Sequence, residues 1–133
     1  MNKLKHLEMI QMTISRMASN SFLLKGWSIT LTVGSFVLIS YTSNVIPLTA
    51  VVVPIIFFWI LDSYYLLQER RYRCLYDEVR LKDESEIDFS MLPQDTQNKK
   101  GLSLVNCIFS TIEALFYVPV IILAIALFSS ICR

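Results

Sequence analysis

The stretch NVIPLTAVVVPIIFFWILDSYYLL, residues 44–67, decides the fold of this chain. A helix needs roughly 20 mostly apolar residues to cross the hydrocarbon core of a bilayer. Residues 45–61 form a run without charge that is close to this length, and Asp62 is the only charge in the rest of the stretch. Aromatic residues typical of a membrane interface lie near its end: Trp59, Tyr64 and Tyr65. The sequence predicts a membrane span over residues 45–67.

The chain continues without a turn residue into QERRYRCLYDEVR, residues 68–80. From residue 61 to residue 79, larger side chains recur at alternating spacings of four and three, which is typical of one helical stripe. The stripe consists of Leu61, Tyr65, Gln68, Tyr72, Leu75 and Val79. Charged residues lie mostly around it, so we expect the span to continue as a cytoplasmic helix that needs a packing partner.

Composition indicates a membrane protein. The chain has 133 residues, of which 54% are hydrophobic and only 17% are charged. This balance is typical of membrane proteins and unusual for a single soluble domain of this length. The fold class that we expect is therefore an all-α membrane protein with three transmembrane helices.

The sequence predicts neither an enzyme nor a metal or cofactor site. His6 is the only histidine, and Cys74, Cys107 and Cys132 lack the paired spacing of a zinc site or a disulfide framework. No Gly-rich phosphate loop, HExxH or CxxC motif is present. The three cysteines are expected to be ordinary small apolar residues.

The pattern of residues 1–19 predicts an amphipathic helix that precedes the first span. It has no continuous apolar core and no cleavage site, so we do not expect a signal peptide. Two environments fit this helix: the inner surface of the membrane, or the helix around residues 72–79. Its stripe consists of Leu4, Leu7, Ile10, Ile14 and Met17.

Residues 20–67 predict a transmembrane hairpin with spans over about 22–41 and 45–67. The motif SNSF at Ser19 to Phe22 offers side chains that cap a helix start. Tyr41 to Asn44 provides the tight turn between the spans. The first span carries a polar stripe that packs closely against another helix or lines a pore. The stripe consists of Lys25, Ser28, Thr32 and Ser35.

Residues 68–110 predict the cytoplasmic helix and a polar loop, with at most a short helical piece around Ser90 to Leu92. Residues 111–133 predict the third transmembrane helix, preceded by a helical segment in the interface or cytosol. Glu113 falls at the start of this third span. Two roles fit Glu113. It pairs with Lys25 in a salt bridge between two spans, or copies of it form a charged ring at the mouth of an oligomeric pore.

The distribution of basic residues predicts the orientation. A cytoplasmic N-terminus and a periplasmic C-terminus place eleven of the twelve Lys and Arg residues on the cytoplasmic side and only Arg133 outside. The positive-inside rule favours this arrangement. The basic residues also alternate with aromatic ones on the cytoplasmic helix, a pattern suited to phosphates and stacked bases. This predicted ligand or partner surface consists of Arg70, Arg71, Tyr72, Arg73, Tyr76 and Arg80.

The motifs NSFLLKGW, residues 20–27, and FWILDSYYLLQERRYRCLYDEVR, residues 58–80, resemble small bacterial membrane proteins of anti-phage defence operons. The plan is similar to the membrane subunit of Hailong-type systems and, more loosely, to SLATT effectors. This resemblance implies an oligomeric inner-membrane channel or membrane-perturbing effector that halts the infected cell. It also implies control by a nucleotide or single-stranded DNA product of a partner nucleotidyltransferase, which residues 70–80 would face.

Two functions follow as hypotheses. The first is a homo-oligomeric channel-like effector that depolarises the membrane under the control of a cytosolic anionic ligand. The second is a non-conducting membrane anchor or assembly subunit whose cytoplasmic helix docks a soluble enzyme. Membrane lipid is the expected surrounding in both cases.

Overall fold

The computed structural model of the chain describes residues 2–41, 48–93 and 102–131. Within these ranges the chain is helical and contains no β-strand. The helices in chain order are α1 (Lys3–Tyr41), α2 (Leu48–Leu81), a single 3-10 turn (Glu84–Glu86), α3 (Leu104–Ile108) and α4 (Thr111–Ile131). Three of them, α1, α2 and α4, are long and apolar enough to span a membrane, as the sequence predicts.

α1 is one unbroken helix of 39 residues, which makes it about 58 Å long at about 1.5 Å per residue. The helix start that the sequence predicts at Ser19 to Phe22 is not found. A capping serine accepts a hydrogen bond from a backbone amide, whereas the hydroxyl of Ser21 donates to the carboxylate of Asp62. No proline or glycine interrupts residues 3–25, so the amphipathic segment and the first span form a single helix.

α2 joins the apolar run and the charged segment after it in one helix of 34 residues. Pro54 lies inside α2, and because proline has no N–H it leaves one backbone carbonyl without a helical donor. Pro119 lies inside α4 and leaves one carbonyl of that helix without a helical donor in the same way. The predicted turn at Tyr41 to Asn44 lies outside the described residues, except for Tyr41 at the end of α1.

The three long helices share an apolar core in the half of the molecule that contains the spans. Partly buried aromatic side chains, among them Phe58 and Phe116, pack against this core. The outward faces of the helices remain apolar and exposed, as in Val37, Phe57 and Ile122. Such faces suit lipid or another membrane helix. The buried members of the core are Phe36, Ile39, Val51, Ile55, Tyr117 and Ala124.

The N-terminal half of α1 packs along the C-terminal half of α2 beyond the spans. Of the two environments predicted for the amphipathic segment, the structure therefore shows packing on α2. The buried stripe is rotated from the predicted one, since His6 is fully buried while Leu4 is 73% exposed. We call this second core the extension cluster; its buried members are Ile10, Ile14, Leu75, Val79 and Ile87.

The start of α1 is attached to the end of α2. The Lys3 ammonium donates to the backbone carbonyl of Arg80 at 3.0 Å and also to that of Lys82. The last carbonyls of a helix lack helical donors, and a positive charge is favourable at this end of the helix dipole. Lys3 therefore acts as a cap for α2 from a position almost 80 residues away.

The connection after α2 packs on the extension cluster and is more than a surface loop. Ile87 is buried in the cluster, and Phe89 packs against it. Phe89 adopts a left-handed backbone conformation with φ 53° and places its ring edge-on to His6 at 5.5 Å. The helical piece predicted around Ser90 to Leu92 is not found, and the helical turn of this segment is Glu84–Glu86.

Candidate functional site

Three ionisable side chains, one from each long helix, meet inside the bundle. The Lys25 ammonium of α1 contacts the Asp62 carboxylate of α2 and lies 3.1 Å from Oε1 of Glu113 in α4. The side chains of Asp62 and Glu113 are 0% and 1% exposed, and that of Lys25 is 18% exposed. Buried ionisable groups in membrane helices are rare and costly, so such a set is a functional-site candidate. We call these three residues the ionic cluster.

The positions of the three residues along their helices explain why they meet. From the ionic cluster, about 24 Å of helix leads to the end of α1, about 21 Å to the start of α2 and about 27 Å to the end of α4, at about 1.5 Å per residue. These lengths are close to the roughly 30 Å thickness of a bilayer core. A membrane that contains the three apolar segments would have the ionic cluster near one of its boundaries.

Asp62 is the most completely paired member of the ionic cluster. Its Oδ1 accepts a hydrogen bond from the hydroxyl of Ser21. Its Oδ2 accepts from Lys25 and from the hydroxyl of Tyr117, the latter at 3.1 Å. The Lys25 ammonium also donates to the Ser21 oxygen at 3.1 Å. Asp62 thus has the donors that stabilise an ionised carboxylate.

Glu113 is only half paired. Its Oε1 accepts from Lys25, but its Oε2 is buried and has no hydrogen-bond partner among the described residues. Glu113 lies in the first turn of α4, where the helix dipole favours a negative charge. Its backbone N–H points toward the hydroxyl of Ser110 at 3.4 Å.

Aromatic side chains close the ionic cluster on the side of α4. The rings of Tyr117 and Trp59 stack with centroids 5.8 Å apart and planes 9° from parallel. The indole N–H of Trp59 donates to the carbonyl of Ile108 at 3.2 Å, which fixes the ring against α3. The Lys25 ammonium lies 5.8 Å from the centre of the Phe116 ring, within the range of a cation–π interaction.

The predicted polar stripe of α1 faces α2 within one chain. Ser28 is 1% exposed and Thr32 is 6% exposed, whereas Ser35 is only partly buried. The hydroxyl of Thr32 donates to the Ser28 carbonyl at 2.8 Å, but the Ser28 hydroxyl is buried and has no hydrogen-bond partner in the described part of the chain. A cavity of about 60 Å³ lies between the stripe and Val51, Pro54, Ile55 and Phe58. This volume is sufficient for a water molecule.

The structure divides the predicted arginine surface between two sides of α2. Arg73 pairs with Glu69 at 2.7 Å, and Arg80 pairs with Asp77 at 3.6 Å; both arginine side chains are more than half exposed. Tyr72 and Tyr76 pack against the extension cluster and so are only partly available to a ligand. On the other side of α2, the Arg70 guanidinium donates to the sulfur of Cys107, 3.7 Å away.

The helical segment predicted before the third span corresponds to α3, which packs on α2 beside these arginines. Leu102 and Cys107 are buried against Leu67 of α2, and Arg71 lines an open pocket next to Leu102. Burial raises the pKa of the Cys107 thiol, while the Arg70 guanidinium partly opposes this effect. Three of the six predicted surface residues are thus engaged in packing or in a contact with α3, and a fourth, Arg71, lines the pocket beside it.

Sequence reasoning placed Lys25 and Glu113 in the candidate site but omitted Asp62, Ser21 and Tyr117. The omitted residues carry a recognisable signal. Ser21 precedes Lys25 by four positions and Tyr117 follows Glu113 by four, so each lies on the same helical face as its neighbour. Asp62 is the only charge within residues 44–67.

The fold and the ionic cluster define the class of the protein. It is an all-α protein with three helices long and apolar enough to span a membrane, and these helices bury ionisable side chains at their common contact. Comparison with protein-family models, with curated proteins and with solved structures gave no match to this chain. The resemblance to Hailong-type membrane subunits therefore stays a prediction.

Proposed function

We propose that the protein is an effector of the bacterial inner membrane that assembles with copies of itself and conducts ions. The observation that carries this proposal is the ionic cluster. Ionisable residues within membrane helices mark ion or proton pathways by default, because burying them otherwise costs free energy. The cytoplasmic N-terminus, the periplasmic C-terminus and the anti-phage role belong to the same proposal.

The surface of the spans supports an oligomer. Most side chains of the three candidate spans remain exposed in a single chain, and three helices do not enclose an open channel. Gly26 and Gly34 lie on the exposed side of α1, and no atom would meet a Cβ at either position within 4 Å. Small residues let membrane helices approach closely, and a symmetric assembly would repeat each polar group around one axis.

The exposed arginines support control by a cytosolic anion. Arg73 and Arg80 have side chains that are 62% and 60% exposed, and their acidic neighbours lie on the same helix. Surface pairs of this kind contribute little to stability, so a phosphate can replace them at low cost. The proposed ligand is a nucleotide or single-stranded DNA from an operon nucleotidyltransferase.

Conduction is tested by measuring membrane potential with a potential-sensitive dye in bacteria that express the protein beside its operon partner during phage infection. We expect depolarisation with the native chain. Ser28→Leu, Thr32→Leu and Ser35→Leu together should abolish it, because they fill the cavity between α1 and α2 and remove its hydroxyl groups. Val118→Leu, Ile122→Leu and Ile125→Leu, at exposed positions of α4, form the matched control. No depolarisation with the native chain would refute conduction.

Regulation is tested separately with Arg73→Glu and Arg80→Glu. We expect depolarisation to become independent of the nucleotidyltransferase, because the reversed charges repel an anion. Lys5→Glu, an exposed change on α1, is the control for net charge. Unchanged regulation in the double variant would show that the ligand acts elsewhere.

A second candidate function is the non-conducting anchor. An open groove of about 580 Å³ beside the extension cluster favours it, because Leu4 and Met12 of α1 expose apolar surface there outside the spans. We would measure binding of the purified operon nucleotidyltransferase to the full chain. Loss of binding on Leu4→Glu and Met12→Glu, combined with normal membrane potential in the native strain, would favour the anchor.

A further inference from the structure

We propose that Glu113 binds one exchangeable proton inside the ionic cluster, next to the Asp62 carboxylate. This inference deepens the proposed function, and it depends on that function only for the membrane location of the cluster. It names the ligand of the buried site as a proton and assigns the site to one carboxyl group.

The charges of the ionic cluster lead to this conclusion. One ammonium faces two buried carboxylates, so one negative charge has no counterpart if both acids are ionised. An unpaired charge at so low an exposure carries a large desolvation cost, and such groups are neutralised instead. One additional positive charge makes the ionic cluster neutral.

The geometry of the two carboxyl groups shows where that charge belongs. Glu113 and Asp62 both contact the Lys25 nitrogen, so their carboxyl groups are neighbours in the ionic cluster. Two ionised carboxylates repel each other there and neither can donate to the other, whereas a proton on one of them removes the repulsion and provides a donor. Two carboxyl groups that share one proton are a known solution to this problem.

The proton belongs to Glu113 because Asp62 is stabilised as the anion. Asp62 accepts from Ser21, Lys25 and Tyr117. Glu113 accepts only from Lys25, and its second oxygen has no partner among the described residues. Hydrogen bonds to an ionised form favour that form, so Asp62 stays ionised and Glu113 takes the proton.

The ligand set does not fit a metal cation. Hard cations need about six oxygen ligands, but the hydroxyls of Ser21 and Tyr117 already donate to Asp62. The Lys25 ammonium occupies the position between the carboxylates. Among the described ranges, no group of three or more His, Cys, Asp and Glu side chains is placed to hold a metal ion.

The groups that face Glu113 come from all four helices. Lys25 of α1 contacts Glu113 directly, and Asp62 of α2, Tyr117 of α4 and the Cys107 thiol of α3 act on it electrostatically. The proton comes from water and adds to the Glu113 carboxylate, and no other bond breaks. On release it returns to water, and the ionic cluster regains one negative charge. The field at this end of the spans then changes with pH, and with it the attraction for a permeating cation.

Infrared spectroscopy on the full chain in phosphatidylcholine vesicles tests the proposal. The readout is the C=O stretch of a protonated carboxyl group, assigned to glutamate by carbon-13 labelling. Exposed glutamates are ionised at neutral pH, so they do not contribute to this band there. We expect the native chain to retain one glutamic acid band at about pH 7 and to lose it at higher pH.

Matched variants assign this band. Glu113→Gln should remove it, while Glu86→Gln, an exposed control, should leave it unchanged. In Asp62→Asn, Glu113 is the only acidic partner of the Lys25 ammonium. Glu113 should therefore ionise, and the band should disappear. Lys25→Met should keep the band and extend it to higher pH. The absence of a neutral-pH band in the folded native chain, or its survival in Glu113→Gln, would overturn the proposal.

The Asp62→Asn and native titrations decide the question even if Glu113→Gln does not fold. The result is also independent of conduction. A titrating band in a chain that never depolarises cells would refute the channel and leave the proton site intact. Depolarisation by a chain without the band would refute the proton site and leave the channel intact.

Discussion

The Lys25 ammonium and the Asp62 carboxylate form an ion pair between α1 and α2, although 37 positions separate them in the sequence. Both side chains are largely buried, so the pair joins the two helices at one definite register. Glu113 adds α4 to the same contact at 3.1 Å. A single ammonium group therefore contacts carboxyl groups of both other long helices.

Replacing this ammonium should be the most destabilising single change among the charged residues of the cluster. Lys25→Met leaves two buried carboxyl groups without their cation, and breaking a buried pair costs about 3–5 kcal/mol. Thermal unfolding in detergent measures the loss. Lys5→Met, an exposed lysine of the same helix, serves as the control and should change stability by less than about 0.5 kcal/mol.

A charge-free cluster should be less damaging than the single change. Lys25→Met combined with Asp62→Asn and Glu113→Gln removes all three charges, and neutral replacements of buried pairs are often tolerated. We expect the triple variant to unfold at a higher temperature than Lys25→Met alone. A triple variant that is less stable than the single one would show that packing, and not charge, dominates this contact.

Tyr117→Phe should remove one donor from Asp62 and keep the ring stacked on Trp59. Hydrogen bonds to charged groups contribute about 1.5–3 kcal/mol, so we expect a loss in that range in detergent unfolding. Tyr64→Phe is the matched control, because Tyr64 is 48% exposed on the same bundle. Equal effects of the two variants would contradict a role for the Tyr117 hydroxyl.

The extension cluster should unfold locally when its core is truncated. Ile10 is 0% exposed, and Ile→Ala changes in packed cores cost about 2–5 kcal/mol. For Ile10→Ala we expect faster amide hydrogen exchange in the first half of α1 and the second half of α2, with the spans unaffected. Leu4→Ala, at an exposed position of the same helix, should leave exchange unchanged. Faster exchange throughout the spans would show that the two halves are not separate cores.

Alkylation of Cys107 should report its contact with Arg70. Burial raises the pKa of this thiol, and the nearby guanidinium lowers it in part, so the reactive thiolate forms only at high pH. Arg70→Met removes the lowering effect, and the alkylation profile should move to still higher pH. The measurement needs a chain in which Cys74 and Cys132 are serine. Arg73→Met, an exposed change, is the control, and an identical shift there would contradict the contact.

The sequence predicted the number and position of the long apolar helices because this information is local. A charge-free run of sufficient length and the unbroken helix after it are visible in residues 44–80 alone. The start of a helix at Ser19 to Phe22 was mispredicted because capping depends on what the serine hydroxyl contacts. Ser21 contacts Asp62, a residue 41 positions away, and no local pattern contains that information.

The site was partly predictable for the same reason. Lys25 and Glu113 are conspicuous as charges near the ends of apolar segments, and equal depth suggests their pairing. Asp62 becomes central only when three helices converge on it. The arginines of α2 show the opposite case: they are neighbours in sequence, but a helix turns them to different sides, so Arg70 contacts α3 while Arg73 points to solvent.

The unbroken course of α1 makes it a rigid lever. The extension cluster at Ile10 and the ionic cluster at Lys25 lie on one helix, about 22 Å apart at about 1.5 Å per residue, with no glycine or proline between them. A helix without a joint cannot absorb a tilt of its outer half by bending at a hinge. A force on the N-terminal end of α1 therefore acts mechanically on the Lys25 contacts.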